Sequence, residues 1–233
     1  MERVEVQFGE WIEGGFNLFK ENVGFLILSS LVVVILSSVT VGILAGPMMG
    51  GLMIITLRHY DKQEPKPEIG HVFRGFNYFL NTFLFVLVWG VLLAAASGIL
   101  SLIPCIGQLA ALFVIFCAEA LLLFGLFLIV DEGMEFWQAS LASYNKVKTN
   151  FWPFLGFTVL TSIIGSIGFI VCGLGIIVTL PIQVCILTVA YREVFGENGE
   201  RRTMEKEMGD RVEYMEDTED TEEISETEEE EDK

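Results

Sequence analysis

The sequence predicts an all-α protein: a polytopic bundle of about six transmembrane helices in three hairpins, with interfacial amphipathic helices and a disordered acidic C-terminal tail. Three observations lead to this prediction. The 233 residues are 52% hydrophobic, with a mean hydropathy of +0.56. Three long stretches, residues 23–57, 76–130 and 149–191, carry one charged side chain between them. Most of the charge lies at one end of the chain.

The net charge of −17 is distributed unevenly. Residues 193–233 hold 5 Lys and Arg and 19 Asp and Glu, a net −14, whereas residues 1–192 hold 9 and 12, a net −3. The sequence pI of 4.4 gives the wrong field for a basic nucleic-acid-binding surface, so no nucleic-acid partner is expected. The acidic segment lacks apolar periodicity, which predicts disorder.

Each uncharged stretch is long enough for two helices. A bilayer core of about 30 Å needs about 20 apolar helical residues, and the first stretch alone would make about 52 Å of helix. Glycine or proline marks a break within each stretch. The predicted spans are 23–40, 43–58, 79–102, 108–130, 151–171 and 175–192. An amphipathic N-terminal helix (1–22), two loops (59–78 and 131–150) and the tail (193–233) complete the organisation.

The basic residues predict the orientation of the chain. With six spans, all 14 Lys and Arg fall on one side of the membrane, and the turns near 41, 105 and 173 carry no charge. Omitting the span 43–58 would place loop 59–78 on the opposite side. Because cytoplasmic loops are enriched in Lys and Arg, we expect a protein of the cell membrane with both termini in the cytoplasm.

An amphipathic stretch precedes each outward-going span. Such segments either lie in the membrane interface with their aromatic faces among the headgroups or pack on the ends of the spans. The sequence Gly-Phe-Asn-Leu-Phe at 15–19 is similar to Gly-Phe-Asn-Tyr-Phe at 75–79 and, more distantly, to residues 143–147. Their common placement predicts an internal repeat of three hairpins.

Glu119 is the sharpest candidate functional residue, because it falls near the middle of the predicted span 108–130. An ionisable group at that depth costs several kcal/mol unless it is paired or hydrated. Gln183 has a similar predicted depth, and Pro181 frees a backbone carbonyl one turn earlier, which predicts a small polar pocket. Glu119 is either a carboxyl that couples to protons or ions, or a structural group bonded to a neighbouring helix.

Small residues and cysteines carry further predictions. Gly42, Gly46 and Gly50 stand four apart, a spacing typical of close helix packing. Cys105 and Cys172 fall in the uncharged turns, where they either form a disulfide or remain free. The two histidines lie in one loop without zinc-ligand spacing, and no nucleotide-binding or nucleophile motif occurs. No metal, cofactor or enzymatic activity is therefore expected.

The order of several short motifs resembles that of uncharacterised prokaryotic six-helix membrane proteins, related to the membrane domain fused to some glycerophosphodiester phosphodiesterases. The motifs are Gly46-Pro47 with Gly50-Gly51, Phe73-Arg74-Gly75-Phe76, Ile103-Pro104 with Gly107, Asp131-Glu132-Gly133, Lys148-Thr149-Asn150-Phe151-Trp152, and Pro181 with Ala190-Tyr191-Arg192. The resemblance covers about residues 8–196 and implies an integral membrane domain of unknown activity, with no catalytic residue to transfer.

Two functions are consistent with these features. The leading hypothesis is a non-enzymatic membrane protein that organises or assists partners, with the bilayer around it and a cytoplasmic protein docked on its tail or interfacial helices. The alternative is a small transporter or channel that uses Glu119 and Gln183. The sequence predicts neither the partner nor the oligomeric state.

Overall fold

The structure is a computed structural model that describes residues 6–64, 67–170 and 175–196, and within these ranges it is helical with no strand. The α-helices are α1 (Phe8–Glu21), α2 (Val23–Val39), α3 (Ala45–Tyr60), α4 (Phe79–Leu100), α5 (Ile106–Leu121), α6 (Gly125–Asp131), α7 (Phe136–Val147), α8 (Phe151–Ile170) and α9 (Ile176–Phe195). A long 3₁₀ helix (Ile69–Tyr78) precedes α4, and a short 3₁₀ turn (Lys148–Asn150) precedes α8. The all-α prediction is confirmed, while most of the predicted tail, from residue 197, lies outside the described residues.

Among the described residues, four helical stretches are long and apolar enough to cross a membrane: Ile69–Leu100, Ile106–Asp131, Phe136–Gly168 and Ile176–Phe195. Helices α1 and α2 together would make a fifth, but they are bent by 94° at their junction. A helix occupies each of the six predicted spans. The count of six stays a prediction, because α3 has only 16 residues, which is about 24 Å of helix.

The predicted span 108–130 is divided into two helices. Helix α5 ends at Leu121 and α6 begins at Gly125. Ser143 of α7 lies beside the break, where its hydroxyl donates to the Leu121 carbonyl at 2.8 Å and accepts from the Phe124 amide at 3.2 Å. The side chain thus satisfies polar groups that an interrupted helix leaves unpaired.

Each of the three hairpins, α2–α3, α4–α5 and α8–α9, contacts the other two. Gly46 of α3 lies on the backbone of Thr82 of α4. Ser162 of α8 faces Glu119 of α5. The third hairpin contacts the first through α9, where Thr188 donates to Thr56 of α3 with 2.7 Å between their Oγ1 atoms.

The segment that opens each hairpin packs on a different hairpin. Gly15 of α1 lies so close to Ile186 of α9 that a Cβ would be 2.5 Å from the Ile186 Cα. Gly75 of the long 3₁₀ helix lies on the Pro47 carbonyl of α3, and Ser143 of α7 lies on the α5–α6 break. Gly15, Gly75 and Ser143 are the first residues of the three similar motifs at 15–19, 75–79 and 143–147. The buried faces of the opening segments therefore pack on the ends of other hairpins.

The largest buried side chains gather where the opening segments lie, which we call the loop end; the other end, with Cys105 in the turn after α4, is the turn end. The rings of Phe127 and Tyr191 stack with 5.0 Å between centroids. Trp11, which is 1% exposed, contacts Phe154 and Phe157. The core that joins the hairpins is thus mainly aromatic and lies at the loop end.

The three predicted packing glycines have two different environments. Gly46 faces Thr82, and a Cβ on Gly50 would be 2.9 Å from Cγ1 of Val130. Gly42 instead lies in the turn before α3, with φ of 86° and no neighbour within 4 Å of a Cβ. The left-handed backbone favours glycine there, so Gly42 serves a turn and not a helix contact.

Candidate intramembrane polar site

Glu119 lies near the end of α5, about 20 Å along the helix from Ile106, and thus midway along the apolar stretch Ile106–Asp131. Its carboxylate is exposed on the surface of the bundle. Ser162 of α8 donates to Oε2 of Glu119 over 3.5 Å, a long and weak hydrogen bond. The carboxylate therefore keeps acceptor capacity for a ligand or a proton.

Glu119 borders a cavity of about 340 Å³ between α5, α8 and α9. Its polar lining side chains are Glu119, Ser162, Ser166, Thr179 and Gln183, and its apolar lining includes Ile115, Phe116 and Leu180. The cavity places Glu119 and Gln183, the two residues singled out by sequence, in one site. Among the described residues no basic side chain lines the cavity, and the one charged group in its lining is the Glu119 carboxylate.

Gln183 lies against α8 because residue 165 is glycine. A Cβ at Gly165 would collide with the Oε1 atom of Gln183. Thr179 donates to the Gly165 carbonyl at 3.0 Å, which fixes α8 against α9 beside the cavity. The close approach of these two helices thus depends on a small residue, as is common in membrane bundles.

The carbonyl freed by Pro181 does not form part of the cavity. Because Pro181 has no N–H, the carbonyl of Ile177, one turn earlier, lacks its usual helical hydrogen bond. The Ser30 hydroxyl of α2 donates to the Ile177 carbonyl instead. The prediction that Pro181 helps to build the polar pocket is therefore wrong. Its freed carbonyl joins α9 to α2.

The helix break next to Glu119 was missed by the sequence analysis. It falls at residues 122–124, between Leu121 and Gly125. The only local signal is Gly125, which accommodates the ring of Phe85. Interrupted helices are characteristic of binding sites in secondary transporters, and here the interruption begins three residues after Glu119.

The other candidate residues lie apart from this site. Cys105 is an exposed thiol in the turn before α5, and it is free within the described part of the chain. Cys172, its predicted partner, lies outside the described residues, so the disulfide stays a prediction. In the ranges the structure describes, no group of three His, Cys, Asp or Glu side chains could hold a metal ion.

The polar side chains of the cavity are spread along the lengths of the helices. Thr179 lies within the first turn of α9 at the turn end, and Glu119 lies midway along the apolar stretch Ile106–Asp131. Beyond Glu119 toward the loop end, Phe124, Phe154 and Phe157 are all fully buried. The cavity thus extends from the turn-end half of the bundle to Glu119 and stops at an aromatic core.

Comparison of the chain with known protein families, curated proteins and solved structures gives no match. The class that the fold defines is therefore an all-α bundle with helices apolar enough to cross a membrane. The resemblance to the membrane domain of glycerophosphodiester phosphodiesterases stays a prediction.

Proposed function

We propose that this protein is a small membrane transporter or channel for protons or small cations, with Glu119 as its ion-binding carboxyl. The observation that carries the proposal is the cavity of about 340 Å³ that joins Glu119 to Gln183. A carboxylate without a basic partner in its cavity attracts a positive charge. An inert structural carboxyl would be expected to make a shorter hydrogen bond and to line no cavity.

The geometry favours alternating access over an open pore. The polar lining stops at Glu119, and fully buried phenylalanines close the loop-end side. The α5–α6 break supplies a place where the two halves of a span can move separately. Water in the turn-end half of the cavity would let a proton or cation reach Glu119. Movement at the break would then release this ion toward the loop end.

We place the protein in the cell membrane, with the loop end and both termini in the cytoplasm. All 14 basic residues then lie on the cytoplasmic side, as expected for short loops. In this orientation the Glu119 cavity is loaded from outside the cell. The net charge of −14 on residues 193–233 would be repelled by an anionic leaflet, which is consistent with a cytosolic tail.

The experiment is proton flux into proteoliposomes that contain a pH-sensitive dye, driven by a potassium-valinomycin potential. Wild type should acidify the lumen, and Glu119→Gln should lower the initial rate at least about tenfold. Glu132→Gln, an exposed acid at the loop end, is the matched control and should keep the wild-type rate. Wild-type flux in folded Glu119→Gln would overturn the proposal.

A second candidate function, the assistance of partner proteins, is supported by a row of phenylalanines. Phe73, Phe76, Phe79 and Phe83 stack successively from the long 3₁₀ helix into α4, and Phe73 is 48% exposed. A photo-crosslinking amino acid at Phe73 should yield one discrete crosslinked protein in cells. The same amino acid at exposed Leu112 of α5 is the control, and identical products at both positions would contradict the partner role.

A further inference from the structure

A second cavity, of about 300 Å³, lies between α7 and the helices α4 and α5. Its walls are almost wholly apolar and include Trp89, Ala118, Leu121, Trp137, Leu141 and Tyr144. We call it the α7 groove. It shares no lining residue with the Glu119 cavity, and neither proposed function uses it.

The groove lies beside the buried face of α7. On this helix its lining residues are Trp137, Ser140, Leu141 and Tyr144. The buried face consists of Ala139, Ser140, Ser143 and Val147, and Ser140 belongs to both sets. Ser140 thus joins the packed face of α7 to the groove wall.

Two polar side chains in the groove wall, Trp89 and Ser140, are bonded within the protein. The Trp89 Nε1 donates to the Ser140 hydroxyl at 3.0 Å, and that hydroxyl donates to the Phe136 carbonyl at 2.7 Å. The groove walls therefore offer a ligand almost only apolar contact. A ligand that fills it must be an apolar chain.

The exposed rim of the groove carries a positive charge. Trp137, Leu141 and Tyr144 are 54%, 44% and 43% exposed on one face of α7. Lys148 follows them, with its Nζ 5.1 Å from the centroid of the Tyr144 ring and 2.7 Å from Oδ1 of Asn145. The ammonium group is thus held at the end of an apolar groove.

We propose that the α7 groove binds an anionic phospholipid, with one acyl chain against Trp89 and Leu121 and its phosphate near Lys148. The groove begins at the level of Ala118, next to Glu119, and extends toward Lys148 at the loop end. Acyl chains lie at the depth of its inner part, and aromatic residues with a lysine beside them are typical of the headgroup level. A ligand with an apolar chain and an anionic headgroup matches both the apolar groove and the Lys148 ammonium at its end. One lysine near the surface contributes about a fivefold preference for anionic lipid.

The test is quenching of tryptophan fluorescence by phospholipids brominated on the acyl chain, titrated at low mole fraction into nanodiscs of unbrominated phosphatidylcholine. Brominated phosphatidylglycerol should reach half-maximal quenching at about fivefold lower mole fraction than brominated phosphatidylcholine. Lys148→Gln should abolish the difference between the two lipids. Lys62→Gln, in a different loop, should leave it unchanged.

A filling substitution tests the groove itself. Ala118→Phe should remove the saturable quenching by both lipids, whereas Leu112→Phe, on the exposed face of the same helix, should retain it. Equal quenching by both lipids in wild type, unaffected by Ala118→Phe, would mean ordinary bilayer contact and overturn the proposal. A dimer that buries Trp137 and excludes the brominated lipid would overturn it in favour of a second copy.

Discussion

Ser143 donates a hydrogen bond to the carbonyl oxygen of Leu121 across 2.8 Å, between an opening segment and an interrupted membrane helix. The same hydroxyl accepts from the amide of Phe124, so one side chain serves both sides of the break. The α5–α6 interruption is therefore supported by another part of the chain.

Ser143→Ala should destabilise the fold by about 1–3 kcal/mol, because it leaves buried backbone groups unsatisfied. Unfolding in mixed micelles, with denaturing detergent as the variable, measures the change. Ser101→Ala, whose exposed hydroxyl bonds to its own turn, is the control and should change the free energy of unfolding by less than about 0.5 kcal/mol. Equal effects would mean that Ser143 does not support the break.

Gly165→Ala should lower proton flux severalfold, because a Cβ displaces the Gln183 side chain from the cavity wall. Gly98→Ala in α4 is the matched control, since a Cβ there meets no atom within 4 Å. It should keep wild-type flux and stay within about 1 kcal/mol of wild-type stability. Normal flux in Gly165→Ala would show that transport does not depend on the position of the Gln183 side chain.

Gly75→Ala should destabilise the protein by at least about 2 kcal/mol, because the added Cβ collides with the Pro47 carbonyl and neither backbone can yield cheaply. Gly70 lies in the same long 3₁₀ helix with open space around its Cβ position. Gly70→Ala should therefore be nearly neutral. Thermal unfolding followed by circular dichroism distinguishes the two, and similar midpoints would contradict the observed packing.

The Thr188–Thr56 hydrogen bond should appear as a coupling free energy between α9 and α3. Thr188→Val and Thr56→Val, alone and combined, form a double-mutant cycle. Hydrogen bonds between membrane helices average about 0.6 kcal/mol, so a coupling of that size is expected from detergent unfolding. Strict additivity of the two substitutions would show that the bond contributes nothing measurable.

Cys105 tests the orientation of the chain. With cytoplasmic termini, this exposed thiol faces outward, and a membrane-impermeant maleimide should label it in intact cells. Labelling that requires prior reduction would indicate a disulfide, which a gel run with and without reductant would detect as a shift. Labelling confined to permeabilised, reduced cells would contradict the proposed orientation.

Much of the helical layout could be predicted because uncharged length and membrane thickness are directly comparable. The same depth arithmetic placed Glu119 and Gln183 at one level, and the structure brings them to one cavity. Length does not establish that α3 crosses the membrane, since its 16 residues are fewer than the about 20 that a crossing needs.

Features that depend on contacts between distant segments could not be predicted. The break after Leu121 has no proline and is stabilised by Ser143, which belongs to another helix. The Ile177 carbonyl is freed by Pro181 close in sequence, but its donor Ser30 comes from α2. Local propensity identifies a freed backbone group, whereas only the tertiary fold determines which side chain bonds to it.

The exchange of opening segments between hairpins has a consequence for biosynthesis. Helix α1 is made first, yet the Ile186 backbone on which Gly15 packs belongs to the last helix. Until α8 and α9 have entered the membrane, the ring of Trp11 lacks the phenylalanines that bury it. Ribosome-bound chains that end before α8 should therefore leave α1 open to protease, and α1 should become protected only when the final hairpin has been inserted.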